Sequence, residues 1–129
     1  MRRRLLLAVL VLPGLAAGCG GDDPPPDPAD AVRETAAAFV GALRAERWAD
    51  ACRLMTVAAR TAIAGERGRC PQAFREGAAL PPSELGTIAR QLPGAPVRIT
   101  GVKAALGPVG DTPQPLRLER SDGRWLIAP

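Results

Sequence analysis

The chain has 129 residues, 47% of them hydrophobic, with 17 Lys and Arg against 13 Asp and Glu and neither histidine nor tyrosine. Its formal charge of +4 does not describe the body of the chain: Arg2, Arg3 and Arg4 supply three of the cations, and without residues 1–18 the balance is +1. No basic run is left, and only Phe39, Trp48, Phe74 and Trp125 offer rings for stacking, so a nucleic-acid partner is excluded.

Arg2–Arg4 lead into the apolar stretch Leu5–Leu12, then Pro13-Gly14, then Leu15-Ala16-Ala17-Gly18-Cys19. A positive start, an apolar middle and small residues before a cut are the three parts of an export signal. A spanning helix needs about 20 consecutive apolar residues, whereas this run is shorter and is broken by Pro13 and Gly14. Plain secretion with cleavage after Gly18 is the closer alternative, because Ala16 and Gly18 suit such a protease. The segment resembles the bacterial lipoprotein signal, although that pattern favours leucine where Ala16 stands. The resemblance implies a signal peptide over residues 1–18 and diacylation of Cys19 as the mature N-terminus. Two acyl chains are what stable anchoring requires. The expected location is therefore the outer face of the cell membrane. Gly20, in place of an aspartate, would permit sorting to an outer membrane in a bacterium that has one.

Residues 19–29 read as the lipidated cysteine and a Pro/Gly/Asp tether, whose Pro24-Pro25-Pro26 run favours an extended, semi-rigid spacer. Residues 30–129 suffice for one domain with a modest core. Asp27-Pro28 predicts a helix start. Val32, Ala36, Phe39, Val40 and Leu43 then recur at helical spacing. Trp48, Ala51, Cys52 and Met55 form a second helical face, and Thr56–Ala64 predicts a third short helix ended by Gly65. Cys52 and Cys70, an even pair in an exported chain, read as a disulfide. The alternatives are two buried free thiols or metal ligands, and the lack of histidine and of paired cysteine spacing weighs against metal. Pro71–Glu76 predicts a helical turn anchored by Phe74, and Ser83–Leu92 a helix capped by Ser83.

After Pro93-Gly94 the period changes to two. Val97 and Ile99 alternate, then Val102, Ala104 and Leu106 alternate on the other parity, which predicts a bulge at Thr100-Gly101. Leu116–Arg120, Asp122-Gly123 and Arg124–Ala128 predict a hairpin pairing Leu118 with Ile127 and Arg120 with Trp125. Helices first and an antiparallel sheet afterwards predict an α+β domain.

Phe39-Val40, the Arg47-Trp48-Ala49-Asp50-Ala51-Cys52 segment and the closing Leu118–Ile127 strand pair together resemble a small NTF2-like (cystatin-like, SnoaL-like) domain. The resemblance implies N-terminal helices packed on a short, curved sheet. Gly107–Pro115 stands where a longer sheet is expected, so the sheet is expected to be trimmed to three or four strands. Enzymes of that superfamily use Asp or His bases with Tyr or Asp donors. Here neither histidine nor tyrosine exists, and Asp50, Glu46, Glu66 and Glu76 are the carboxylates left for acid–base work. Glu46 and Asp50 lie four apart on a helix and so share a face, but an exposed like-charged pair beside Arg47 and Arg53 accounts for them equally. The expectation is therefore a domain without catalysis, cofactor or metal, serving partner binding or a structural role. The alternative is a carrier of a small apolar ligand, with Phe39, Trp48, Met55, Phe74 and Trp125 as candidate pocket residues that core packing explains as well.

Overall fold

Asp27 opens the first helix as the Asp-Pro pair predicts. In the computed structural model, which describes residues 20–21, 24–65 and 68–129, its carboxylate accepts from the Ala29 N–H at 2.9 Å. Pro28 fills the first position of helix α1, Pro28–Arg44. Cys19 and the signal segment lie outside the described residues, as does Glu66. Gly20, Gly21 and residues 24–26 are exposed and carry no regular structure.

Val32, Ala36, Phe39, Val40 and Leu43 are all buried along one face of α1. At about 1.5–3 kcal/mol for each large apolar side chain, this face outweighs any propensity term in holding the helix. The helix closes on Glu46 in the left-handed region, φ 56°. The Arg47 N–H donates to the Ala42 carbonyl at 2.8 Å and the Glu46 N–H to that of Leu43 at 3.1 Å. Glycine is the usual residue at that point. The closure separates α1 from helix α2, Trp48–Arg53, so Glu46 and Asp50 do not share a helical face. Asp50 instead pairs with Arg53 and, at 3.8 Å, with Arg47.

Helix α3, Val57–Ala64, is capped by the Thr56 hydroxyl, which accepts from the Ala59 N–H at 3.1 Å. Helix α4, Cys70–Ala73, runs into a wider turn over Phe74–Ala78. The Cys52–Cys70 disulfide ties α2 to α4 with the Cα atoms 6.1 Å apart. The Met55 thioether packs 3.8 Å from the Cys70 sulfur. Helix α5, Pro82–Gln91, begins one residue before the Ser83 expected to cap it. The preset φ of Pro82 suits the first helical position, which leaves Ser83 inside, its carbonyl accepting from the Thr87 hydroxyl.

Four antiparallel strands follow in the order β1-β2-β3-β4: Val97–Thr100, Lys103–Leu106, Leu116–Ser121 and Arg124–Ile127. Thr100 pairs with Lys103, so Gly101-Val102 is a two-residue hairpin loop and not a bulge. Both devices shift the alternation by one, but here the chain reverses, with Gly101 at φ 61°. The second hairpin has the predicted register, Leu118 opposite Ile127 and Arg120 opposite Trp125. Asp122 and Gly123 both take positive φ, as its type I′ turn requires. Pairing aligns Ile99, Ala104, Leu118 and Ile127 across one face, and α1 lies over that face against β1, β2 and β4. The architecture is α+β, N-terminal helices on an open four-strand sheet. Beyond β4 the chain closes on itself: the Ile127 N–H donates to the Leu54 carbonyl at 2.7 Å, and its carbonyl accepts from the Thr56 N–H at 2.8 Å. Among the described residues no helix is long and apolar enough to cross a membrane.

Candidate functional site

The aromatic side chains expected at a pocket meet one another first. Phe74 lies edge-on to Phe39, ring centroids 6.3 Å apart, and stacks on Trp48 at 6.1 Å. Phe74 and Met55 are buried in the core, and Trp48 is half-buried against it. Trp125 is buried in the same core and carries the Arg120 guanidinium 5.9 Å from its ring centroid. Of the five candidate residues only Phe39 borders the main apolar cleft.

That cleft, of about 440 Å³, lies between α1 and α5. Phe39, Val40 and Leu43 form one wall and Leu85 and Ile88 the other, each pair of neighbours set by helical spacing. Leu80, 40% exposed, stands at the rim, and Val109 and Leu116 close the far side. No ionisable side chain is on its wall; Thr112 and Gln114 supply the polar groups. Two larger hollows, one beside the disulfide and one between Gly94 and the β2–β3 loop, are more polar and more open to solvent.

The loop joining β2 to β3 is the part of the cleft that sequence reasoning missed, since Gly107–Pro115 reads only as missing sheet. It is pinned at Gly110, whose N–H donates to Gln91 Oε1 of α5 at 2.6 Å. Gly110 sits at φ 69°, and a Cβ there would stand 2.9 Å from Ile88 Cγ1. Two signals point to such a loop: Val109, a lone apolar residue among prolines and glycines, and the Leu85–Ile88 pair, which has no partner in the predicted elements. Gly110→Ala is expected to cost about 1–3 kcal/mol in urea unfolding, from strain and overpacking together. Gly86→Ala, whose Cβ meets only Arg90 at 3.6 Å, is expected to raise stability by about 0.5–1 kcal/mol in the same measurement.

The carboxylates are dispersed. Glu46 ends α1, Asp50 is held by two arginines, and Glu76 accepts from Gln72 Nε2 at 2.9 Å. Among the described residues no group of three His, Cys, Asp or Glu side chains is placed to hold a metal ion. Compared with known proteins, the chain matches no family model, no curated protein and no solved structure.

Proposed function

We propose that the protein is an exported envelope lipoprotein, anchored through a lipid on Cys19, whose NTF2-like domain is a non-catalytic binding module. Its docking point is the cleft between α1 and α5, which takes up apolar side chains of an envelope protein partner. The observation that carries the reading is the chemistry of that cleft: apolar walls, no ionisable side chain, and an exposed leucine at the mouth. The helices-first order, with α1 laid across a short antiparallel sheet, supports the NTF2-like likeness. The exposed, unstructured stretch at residues 24–26 ahead of α1 supports the tether.

A second reading, a carrier of a small apolar ligand, is favoured by the cleft's volume, which falls within the roughly 300–1,000 Å³ of ligand sites. A photoreactive residue placed at Leu80 in intact cells separates the two. The expected result is a cross-link to one envelope protein from Leu80 and none from Val57, which is 69% exposed on α3. An apolar small molecule retained through purification, without that cross-link, would transfer the assignment to the carrier. If neither result is obtained, both readings fall. The anchor is checked separately by the intact mass of protein extracted from membranes, expected to fit cleavage before Cys19 plus a diacylglyceryl group.

A further inference from the structure

Strand alternation sorts the sheet's charges by face. Arg98, Lys103, Arg117 and Arg124 all lie on the side turned away from α1, and Glu119 is the one acid among them. Arg98 and Arg117 flank Ala105 in one cross-strand row, while Lys103 stands opposite Glu119 in another. All five charged side chains belong to exposed residues. The ion pairs among the described residues join Arg33 to Asp30 and Arg47 and Arg53 to Asp50, so none of the four sheet cations takes part in one. Residues 19–129 carry a net +1, with this face at +3, so the remainder is at −2. The cations are concentrated here and not merely spread over a basic protein. Between the small side chains of Ala105 and Ala128 the face has a hollow of about 430 Å³, rimmed by three cations, Arg98, Lys103 and Arg117, and by the single carboxylate of Glu119.

From this segregation we infer that the outer face of the sheet is the surface the domain presents to an anionic phospholipid membrane, with headgroup phosphates at the Arg98–Lys103–Arg117 hollow. Like charges on one face of a sheet repel, and an anionic surface offsets that repulsion. The face carries no aromatic ring, so nothing on it would stack on the bases of a nucleic acid. Proximity is what favours a membrane over a soluble polyanion, and for that the inference rests on the anchored reading. The nine residue-to-residue steps from Cys19 to Pro28 reach at most about 30 Å. The domain is then confined near a surface whose potential attracts each basic side chain within a Debye length.

The core, the disulfide and the sheet all lie within residues 28–129, so residues 20–129 contain the whole fold and omit Cys19. That segment is floated with vesicles of phosphatidylcholine alone and of phosphatidylcholine with about one-third phosphatidylglycerol. Flotation is expected with the anionic vesicles only, and is expected to vanish near molar salt. Arg98→Gln with Arg117→Gln should weaken it about 25-fold, roughly fivefold per cation. Arg44→Gln with Arg90→Gln, on exposed helical positions, should change it by less than about twofold. Equal partition to both vesicles overturns the inference, as does anionic binding that survives salt or the Arg98/Arg117 pair of substitutions. Binding to soluble polyphosphate with none to anionic vesicles overturns it in favour of a polyanion. Failure of the anchored reading shows elsewhere, as full-length protein from cells that does not float with phosphatidylcholine alone.

Discussion

Cys52→Ser, Cys70→Ser and the double variant should each lose about 3 kcal/mol, and all three should lose nearly the same amount. The bridge closes a loop of sequence separation 18, and in the chain-entropy account a loop of that size removes about this much freedom from the unfolded chain. In a domain of roughly 100 residues each kilocalorie moves the melting temperature by about 4–8 °C, so a fall of roughly 12–24 °C is expected. Both cysteines are buried, at 5% and 7% exposure, so each single variant also leaves one thiol and one hydroxyl in the core. Thermal and urea unfolding, with and without reductant, check the prediction. Reduction of the wild type should reproduce the double variant. Losses that simply add between the single variants would mean that the two residues act as independent packing groups.

Phe74→Ala should be the costliest single truncation among the aromatic residues, at about 3–5 kcal/mol. Phe74 is 3% exposed and holds Phe39 and Trp48 on two sides, so its removal opens a void where α1, α2 and the turn after α4 converge. Trp48→Ala should cost less, because that ring is already half in solvent. Urea unfolding gives the magnitude. In native Phe74→Ala protein, Trp48 emission should shift to the red as the stacked neighbour is lost. If Phe74→Ala left stability unchanged, the ring would be a pocket wall and not a core anchor.

The parts of this fold that were legible in the sequence are those whose signals are local. Asp27-Pro28 and the Val32–Leu43 spacing specify the start and the buried face of α1, because a cap and a helical period need no knowledge of what lies opposite. Asp122-Gly123 specifies the last hairpin for the same reason. Gly101-Val102 was misread because a bulge and a two-residue turn have the same effect on alternation, and only the partner strand tells them apart. The reversal at Glu46 was invisible because a glutamate gives no sign of a left-handed conformation. The cleft was the least legible feature. Its walls come from three segments far apart in the chain, and leucines and isoleucines that line a groove look like those that fill a core. The basic face needed the register as well, since Arg98, Lys103, Arg117 and Arg124 are scattered until three hairpins bring them side by side.

The main-chain bonds from Leu54 and Thr56 to Ile127 bear on how the sheet meets other chains. They cover the outer side of β4 at Ile127, leaving β1 as the more open edge. There Pro96 lacks an N–H, Arg98 carries a charge, and the strand is only four residues long, all of which oppose edge-to-edge growth. β4 is as short and carries Arg124, but at Ile127 its outer side is also covered by a segment that starts two residues after Cys52. Loosening the bridge would free that segment and expose a second edge. Oxidation of the cysteines therefore bears on the cover of a sheet edge as well as on stability.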